Sequence, residues 1–267
     1  MEHILCLSYG KDSIAFIHVI LDILKWPLDR IVTGEMYATD TIPVDLPEIV
    51  EFKNYANGVI KSRWGIDVEP IRCKMTFEEG FYRVFKPDAK NRPGEIYGWP
   101  FRRGPWCNSD IKMPIMDRLD KGNNIIYLGI AADEVNRFGV LNGRKKSPLK
   151  EAGWTEEMCA EFCKKNNLYS PVYQYSFRTG CWFCHNQSLE QLRYLMKNHP
   201  DLWEIMLKWD SDSPVTFLPA KKKKDGTIVP GKTVHDYERR FSAEDNGEVP
   251  SDRRFRWMML DVKGVVV

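Results

Sequence analysis

At 267 residues the chain can build one large domain, or one domain with an appendage, around a core that needs no disulfide or metal staple. Its 39 basic and 37 acidic residues nearly cancel, to a formal net charge of +2, so no bulk field draws it to a polyanion. No apolar run reaches membrane-spanning length, and Met1 leads through a charged residue straight into an apolar strand; a cytoplasmic protein with no signal peptide and no membrane partner is expected.

Strand and helix patterns alternate from the start. Ile4 to Leu7 predicts a first strand and Ile14 to Leu24 its helix, with Ser8-Tyr9-Gly10-Lys11-Asp12-Ser13 at the junction. Small residues let the backbone curl until successive N–H groups converge, and the helix adds its positive end. Lys11 supplies a full charge and Ser8 and Ser13 supply hydroxyls, so the junction reads as a phosphate site. A plain βα turn capped by Asp12 or Ser13 is the structural alternative. The second strand is predicted over Arg30 to Ala38, ending at Asp40-Thr41, and Pro47 to Trp64 carries apolar residues at helical spacing. Val68 to Ile71 and Ile125 to Ile130 read as a third and a fourth strand. Between them the Gly-, Pro- and aromatic-rich segment Phe81 to Trp106 is expected to fold as a substrate-side cap, because disordered segments are poor in aromatics. This alternation predicts an α/β fold: a doubly wound, mostly parallel sheet, Rossmann-like, that takes its ligand at the carboxyl ends of the strands. The expected division is a nucleotide-binding domain over 1–188 and a helical, irregular and basic extension over 189–267.

Further candidates lie at strand ends. Asp40, beside Thr41, either caps a helix or accepts hydrogen bonds from a ribose. After the fourth strand, Gly129 leaves room for a ligand beside the backbone, and the stretch Asp133-Glu134 with Arg137 is either a solvated turn with an Asp–Arg pair or a guanidinium grip on a sulfate or phosphate. Seven cysteines in a reducing compartment read individually. Cys181-Trp182-Phe183-Cys184 is a CxxC with His185 next to it, and Cys107 opens an amphipathic helix running to Leu119. Cys6, Cys73, Cys159 and Cys163 read as packing. Past the predicted helix Leu189 to Lys208, the run Lys221 to Lys224 before Asp225-Gly226 reads as an exposed hairpin tip. Arg239, Arg240, Arg253, Arg254 and Arg256, near Tyr237, Phe241, Phe255 and Trp257, read first as a solvated face and second as a nucleic-acid surface.

The loop at 8–13 resembles the SGGKDS-type PP-loop of the adenine nucleotide α-hydrolase superfamily, with Tyr9 in place of the first glycine, a substitution that fits if its φ is negative. Thr39-Asp40-Thr41 with Leu46-Pro47-Glu48 is similar to the DTG..FPET stretch of phosphoadenosine phosphosulfate (PAPS) reductases. Gly129 to Glu134 resembles that family's GxRxDE segment, with Ala131 where the family has Arg, and Pro105 to Lys112 resembles its CC..RK helix, with Trp106 in place of the first Cys. The segment from Ser147-Pro148-Leu149 to Pro171-Val172-Tyr173 continues the likeness, which covers residues 3 to 188. The family's nucleophilic Cys near the C-terminus has no counterpart, since no cysteine follows Cys184.

The resemblance implies ATP or a related adenine nucleotide, with Mg²⁺, held by Ser8, Tyr9, Gly10, Lys11, Asp12, Ser13, Asp40, Thr41, Gly129 and Asp133. Lys11, Asp12 and Arg137 are then the candidate catalytic groups. It also implies a metal site of Cys107, Cys181 and Cys184: either a [4Fe–4S] cluster whose open iron binds sulfur, as in PP-loop enzymes that thiolate nucleic acid bases, or zinc completed by His185 or Asn108. The expected reaction is ATP-dependent adenylation coupled to sulfur transfer onto a nucleic acid or a small molecule, with a cysteine desulfurase as a possible sulfur donor. Sulfonucleotide reduction with a thioredoxin-like reductant, and a non-catalytic nucleotide-binding regulator, are the alternatives. An oligomer is compatible with the sequence.

Overall fold

The computed structural model describes residues 1–101, 104–176 and 178–248. Its centre is β1 (His3–Cys6), whose Ile4 and Leu5 point to opposite faces and are both fully buried. The parallel neighbours β2 (Arg30–Glu35) and β4 (Ile125–Tyr127) flank it, with Ile4 opposite Arg30 on one side and Ile126 on the other. β3 (Val68–Arg72) and β5 (Lys145–Lys146) complete the order β3-β2-β1-β4-β5. Leu5, Ile31 and Tyr127 join a core with α1 (Lys11–His18), α2 (Pro47–Trp64) and α6 (Glu156–Lys165). Their sequence neighbours Ile4, Val32 and Ile126 pack instead with Ile115 and Leu119 of α4 (Met113–Leu119). Strands buried on both faces by helices make this a doubly wound α/β sheet, as the alternating pattern predicts.

Local signals set several boundaries. α2 begins with Pro47 in its first turn, ends at Gly65 with φ 72°, and buries Ile49, Phe52, Ala56 and Ile60 at helical spacing. α1 starts at Lys11 rather than Ile14 and passes at Val19 into a π-helical stretch to Leu24, which Lys25 ends with φ 55°. The second and fourth strands stop earlier than predicted, at Glu35 and Tyr127. β5 is unforeseen because two lysines carry no apolar alternation; parallel pairing to Ile126 and Tyr127 alone makes them a strand.

The chain forms two compact units. The first is Met1–Tyr37, Asp45–Lys74 and Asp110–Tyr173, and holds the five-stranded sheet. The second gathers Ala38–Val44, Met75–Ser109 and the chain from Gln174 onward. Its core is aromatic: Phe77, Phe81, Trp99, Trp182, Phe183, Trp209 and Phe217 are all nearly or fully buried. The indole N–H groups find acceptors, Trp99 on Asp210 at 3.0 Å, Trp182 on the Pro43 carbonyl at 2.9 Å and Trp209 on Glu78 at 3.0 Å. From the Gly-, Pro- and aromatic-rich segment, Trp99 is buried in this core and Trp106 stacks on Phe77.

The predicted helix Leu189 to Lys208 is two helices, α7 (Leu189–Asn198) and α8 (Pro200–Asp212). Pro200 bars His199 from helical backbone, and His199 takes φ −136°. A ribbon of β6 (Lys221–Lys222) and β7 (Ile228–Val229), turning at Gly226 with φ 87°, is the expected lysine hairpin. On α9 (Val234–Asp245), Arg239 pairs with Asp236 and Arg240 with Glu244. Arg253, Arg254, Phe255, Arg256 and Trp257 lie outside the described residues. Among the described residues no helix is long and apolar enough to cross a membrane.

Candidate nucleotide-phosphate site

Strand order fixes where a ligand can lie. From β1 the chain goes to β2 on one side, whereas β4, β1's other neighbour, leads to β5 on the opposite side. The loops after β1 and β4 therefore leave the sheet at a topological switch point, where sheets of this class generally take their ligands. Residues 8–13 follow β1, and Gly129, Asp133, Glu134 and Arg137 follow β4, so the sheet brings these two sequence features to one place.

The loop after β1 is braced from within. The Ser8 amide and hydroxyl donate to Ser13 Oγ at 3.2 and 3.0 Å, and Ser13 Oγ donates to the Gly10 carbonyl at 3.0 Å. Ser13 is buried while Ser8 is exposed. Tyr9 has φ 56°, which corrects the expectation of a negative φ. A bulky residue in the left-handed region costs about 1 to 2 kcal/mol. The ring's burial offsets that strain: Tyr9 is 2% exposed, its hydroxyl donates to Asn57 Oδ1 at 2.8 Å, and the Lys53 ammonium lies 5.1 Å from the ring centroid. Burial also pushes its phenol up to about 12.

Helix α1 then presents its first-turn amides, which have no partners inside the helix. The Lys11 amide donates to the hydroxyl of Tyr173 at 3.0 Å. Burial pushes the Tyr173 phenol up to about 12, so it stays neutral and shields the helix end without bringing a charge. The Lys11 side chain is only 14% exposed, and its ammonium bonds to Glu156 Oε2 at 2.6 Å and Asp12 Oδ1 at 3.1 Å. Burial opposes that charge, but Glu156 and Asp12 outweigh it and raise the lysine pKa above its ordinary value. Asp12 is raised as well, first by burial, against the pull of Lys11, and further by repulsion from Glu156 and Glu134. Behind the loop, Cys163 donates its thiol to the Lys11 carbonyl at 3.3 Å, and Cys159 and Cys163 are both fully buried, the packing role their spacing predicts.

The loop after β4 serves this arrangement differently from expectation. A side chain on Gly129 would meet the Phe16 ring at 3.0 Å and the Ser13 Cα at 3.3 Å. The missing Cβ thus admits helix α1, not a ligand. Asp133 accepts the Glu156 amide at 3.1 Å and anchors the start of α6. Arg137 is 57% exposed and holds Glu134 through one nitrogen at 2.6 and 2.8 Å, so its carboxylate partner is Glu134 and not the aspartate expected. Glu134 in turn accepts the Ala131 amide at 3.0 Å.

Asp40 and Thr41 belong to the second unit, in a turn closed by the Ala38 amide on the Ile42 carbonyl at 2.7 Å and the Ile42 amide on Thr39 Oγ1 at 3.2 Å. Cys107, Cys181 and Cys184 lie in that unit too, all three half-buried. The CxxC is a tight turn, with the Cys184 amide on the Cys181 carbonyl at 3.1 Å and Gln187 Nε2 on the carbonyls of Cys181 and Trp182 at 2.9 and 2.7 Å. Arg178 lies 3.4 Å from Cys184 Sγ. Among the described residues no three His, Cys, Asp or Glu side chains are gathered so as to hold a metal ion. Trp182 and Phe183, 1% and 3% exposed, are drawn into the aromatic core, and that packing sets how the turn presents its thiols. Glu156 and Tyr173, which no motif marks as site residues, are the groups that sequence reasoning missed.

Fold and site together define an α/β protein of the doubly wound, Rossmann-like class, with a strand–loop–helix cradle at its switch point. No protein-family model and no curated protein matches the chain. Among solved structures the chain is similar to U34-tRNA thiolase NcsA from Methanococcus maripaludis with its [4Fe–4S] cluster, at 12% sequence identity and a TM-score of 0.40, over 79% of this chain and 72% of that chain.

Proposed function

We propose that the protein is a PP-loop enzyme that binds ATP at the junction of β1 and α1 and transfers its adenylate to an acceptor oxygen, which sulfur then displaces. One observation carries this reading: a lysine-bearing, amide-rich loop on the central strand of a parallel sheet, at the point where strand order reverses. In the first step the acceptor oxygen bonds to the α-phosphorus as the bond to pyrophosphate breaks. The negative charge that builds on the leaving group faces the Lys11 ammonium and the first-turn amides. In the second step a sulfur nucleophile bonds to the activated carbon and AMP leaves with the oxygen. PAPS-reductase-like ancestry and a nucleic-acid or small-molecule acceptor are parts of this proposal.

Pyrophosphate release from ATP, measured with candidate acceptors present, tests it. The wild-type protein releases pyrophosphate and Lys11→Ala loses at least about a hundredfold of that rate, because a positioned charge on a transferring phosphoryl group is worth about 3 kcal/mol. Wild-type turnover in Lys11→Ala overturns the assignment of the loop. Sulfite release from PAPS without pyrophosphate release from ATP replaces adenylation by sulfonucleotide reduction.

A further inference from the structure

Glu156 engages the ammonium of the loop lysine. Its carboxylate lies 2.6 Å from the Lys11 ammonium, closer than Asp12 at 3.1 Å, although it is remote in sequence and Asp12 is adjacent. The two ends of this contact differ in freedom. Lys11 is 14% exposed and fixed at the start of α1, while Glu156 is 46% exposed and sits in the first turn of α6. The backbone there is pinned: Thr155 caps α6 by accepting the Met158 amide, and Asp133 accepts the Glu156 amide at 3.1 Å. The side chain can therefore rotate into solvent without disturbing the helix. Asp12 stays with Lys11, so the ammonium keeps a counter-charge when Glu156 leaves.

We infer that Glu156 is a carboxylate gate on the phosphate cradle: it stands on Lys11 in the empty protein and must swing out before a polyphosphate can take the ammonium. This rests on the nucleotide reading above and adds the residue that sets the affinity of that site. The consequence is one of charge. Wild-type protein binds a polyphosphate only after breaking the Lys11–Glu156 pair, and the displaced carboxylate remains near the ligand. An amide of the same shape removes both penalties.

The test is isothermal titration of ATP, and separately of inorganic pyrophosphate, into full-length wild type, Glu156→Gln, Lys11→Ala and Glu157→Gln. Glu157 is an exposed neighbour on the same turn and controls for the loss of one acidic charge. Glu156→Gln is expected to bind both ligands about twofold to fivefold more tightly than wild type, the worth of one partly exposed ion pair. Glu157→Gln is expected to match wild type, and Lys11→Ala to bind neither ligand. If wild type binds ATP and Glu156→Gln binds it equally or more weakly, or if Glu157→Gln tightens binding as much, the gate is refuted and the nucleotide reading stands. If neither wild type nor Glu156→Gln binds either ligand, the nucleotide reading falls and the gate falls with it.

Discussion

Tyr9 shows how one residue can be locally unfavourable and still belong where it is. Its φ of 56° is a glycine conformation, and glycine is what the resembling loops carry there. The ring, however, is almost wholly buried and holds Asn57 through its hydroxyl. Removing only the hydroxyl in Tyr9→Phe should cost about 1 kcal/mol. Tyr9→Gly gives up the ring but relieves the strain, whereas Tyr9→Ala gives up the ring and keeps the strain. Stability by urea denaturation should therefore fall in the order wild type, Phe, Gly, Ala, with Gly and Ala separated by about 1 kcal/mol. Lys11 behaves similarly. An exposed loop lysine could be deleted freely, but this one is largely buried between carboxylates, so Lys11→Ala should also destabilise by about 1 to 2 kcal/mol, leaving Asp12 and Glu156 without their cation. A melting curve alongside the turnover assay separates the two effects.

Among the elements, the register of α1 against the β4 end decides the shape of the cradle. Gly129 lets Phe16 and the Ser13 backbone approach within 3.0 and 3.3 Å of where a Cβ would be. Gly129→Ala should push the start of α1 outward, at a cost of about 1 to 3 kcal/mol for overpacking a full core. Because the displaced turn is the one that carries Lys11, this variant should lose nucleotide affinity even under conditions where it stays folded. Unchanged affinity in folded Gly129→Ala would show that the cradle does not depend on this contact. The lysine ribbon of β6 and β7 shows the opposite case, an element whose turn chemistry at Asp225-Gly226 specifies it without any buried face.

For the molecule as a whole, the second unit carries a pH dependence of its own. Glu244 on α9 has a side chain 1% exposed and is gripped by Arg193 of α7 and Arg240 of its own helix. Burial works against its charge, but the bonds from Arg240 and Arg193 outweigh it and hold the carboxyl below its ordinary 4.5. A depressed carboxyl adds stability that is complete above its unfolded value and is lost as pH falls through its folded value. Stability should therefore drop below pH 4.5 on this account, and Glu244→Gln should flatten that part of the profile. At neutral pH the same variant should cost about 3 kcal/mol, since it leaves Arg193 buried without its counter-ion. Chemical denaturation followed by tryptophan fluorescence reports on this unit through Trp99, Trp182 and Trp209 in its core, together with the first unit through Trp26, Trp64 and Trp154.

Much of the sheet was legible in the chain. Apolar runs such as Ile4-Leu5 and Ile31-Val32, helical spacing from Ile49 to Ile60, and a small-residue loop with a lysine between strand and helix each follow from local chemistry, and together they specify a doubly wound fold with that loop on its first strand. Other features belong to neighbours that sequence does not display. Two lysines become β5 only by pairing with β4, and Tyr9 accepts a left-handed backbone only because Asn57 and the core receive its ring. The CxxC spacing likewise gives no sign that the aromatic core claims the two residues between its cysteines, Trp182 and Phe183. Glu156 reaches Lys11 across 145 residues, a distance along the chain at which no motif can signal a contact. Local propensity is written residue by residue, whereas which carboxylate meets which ammonium is decided by how helices dock on a sheet, and only the folded chain contains that information.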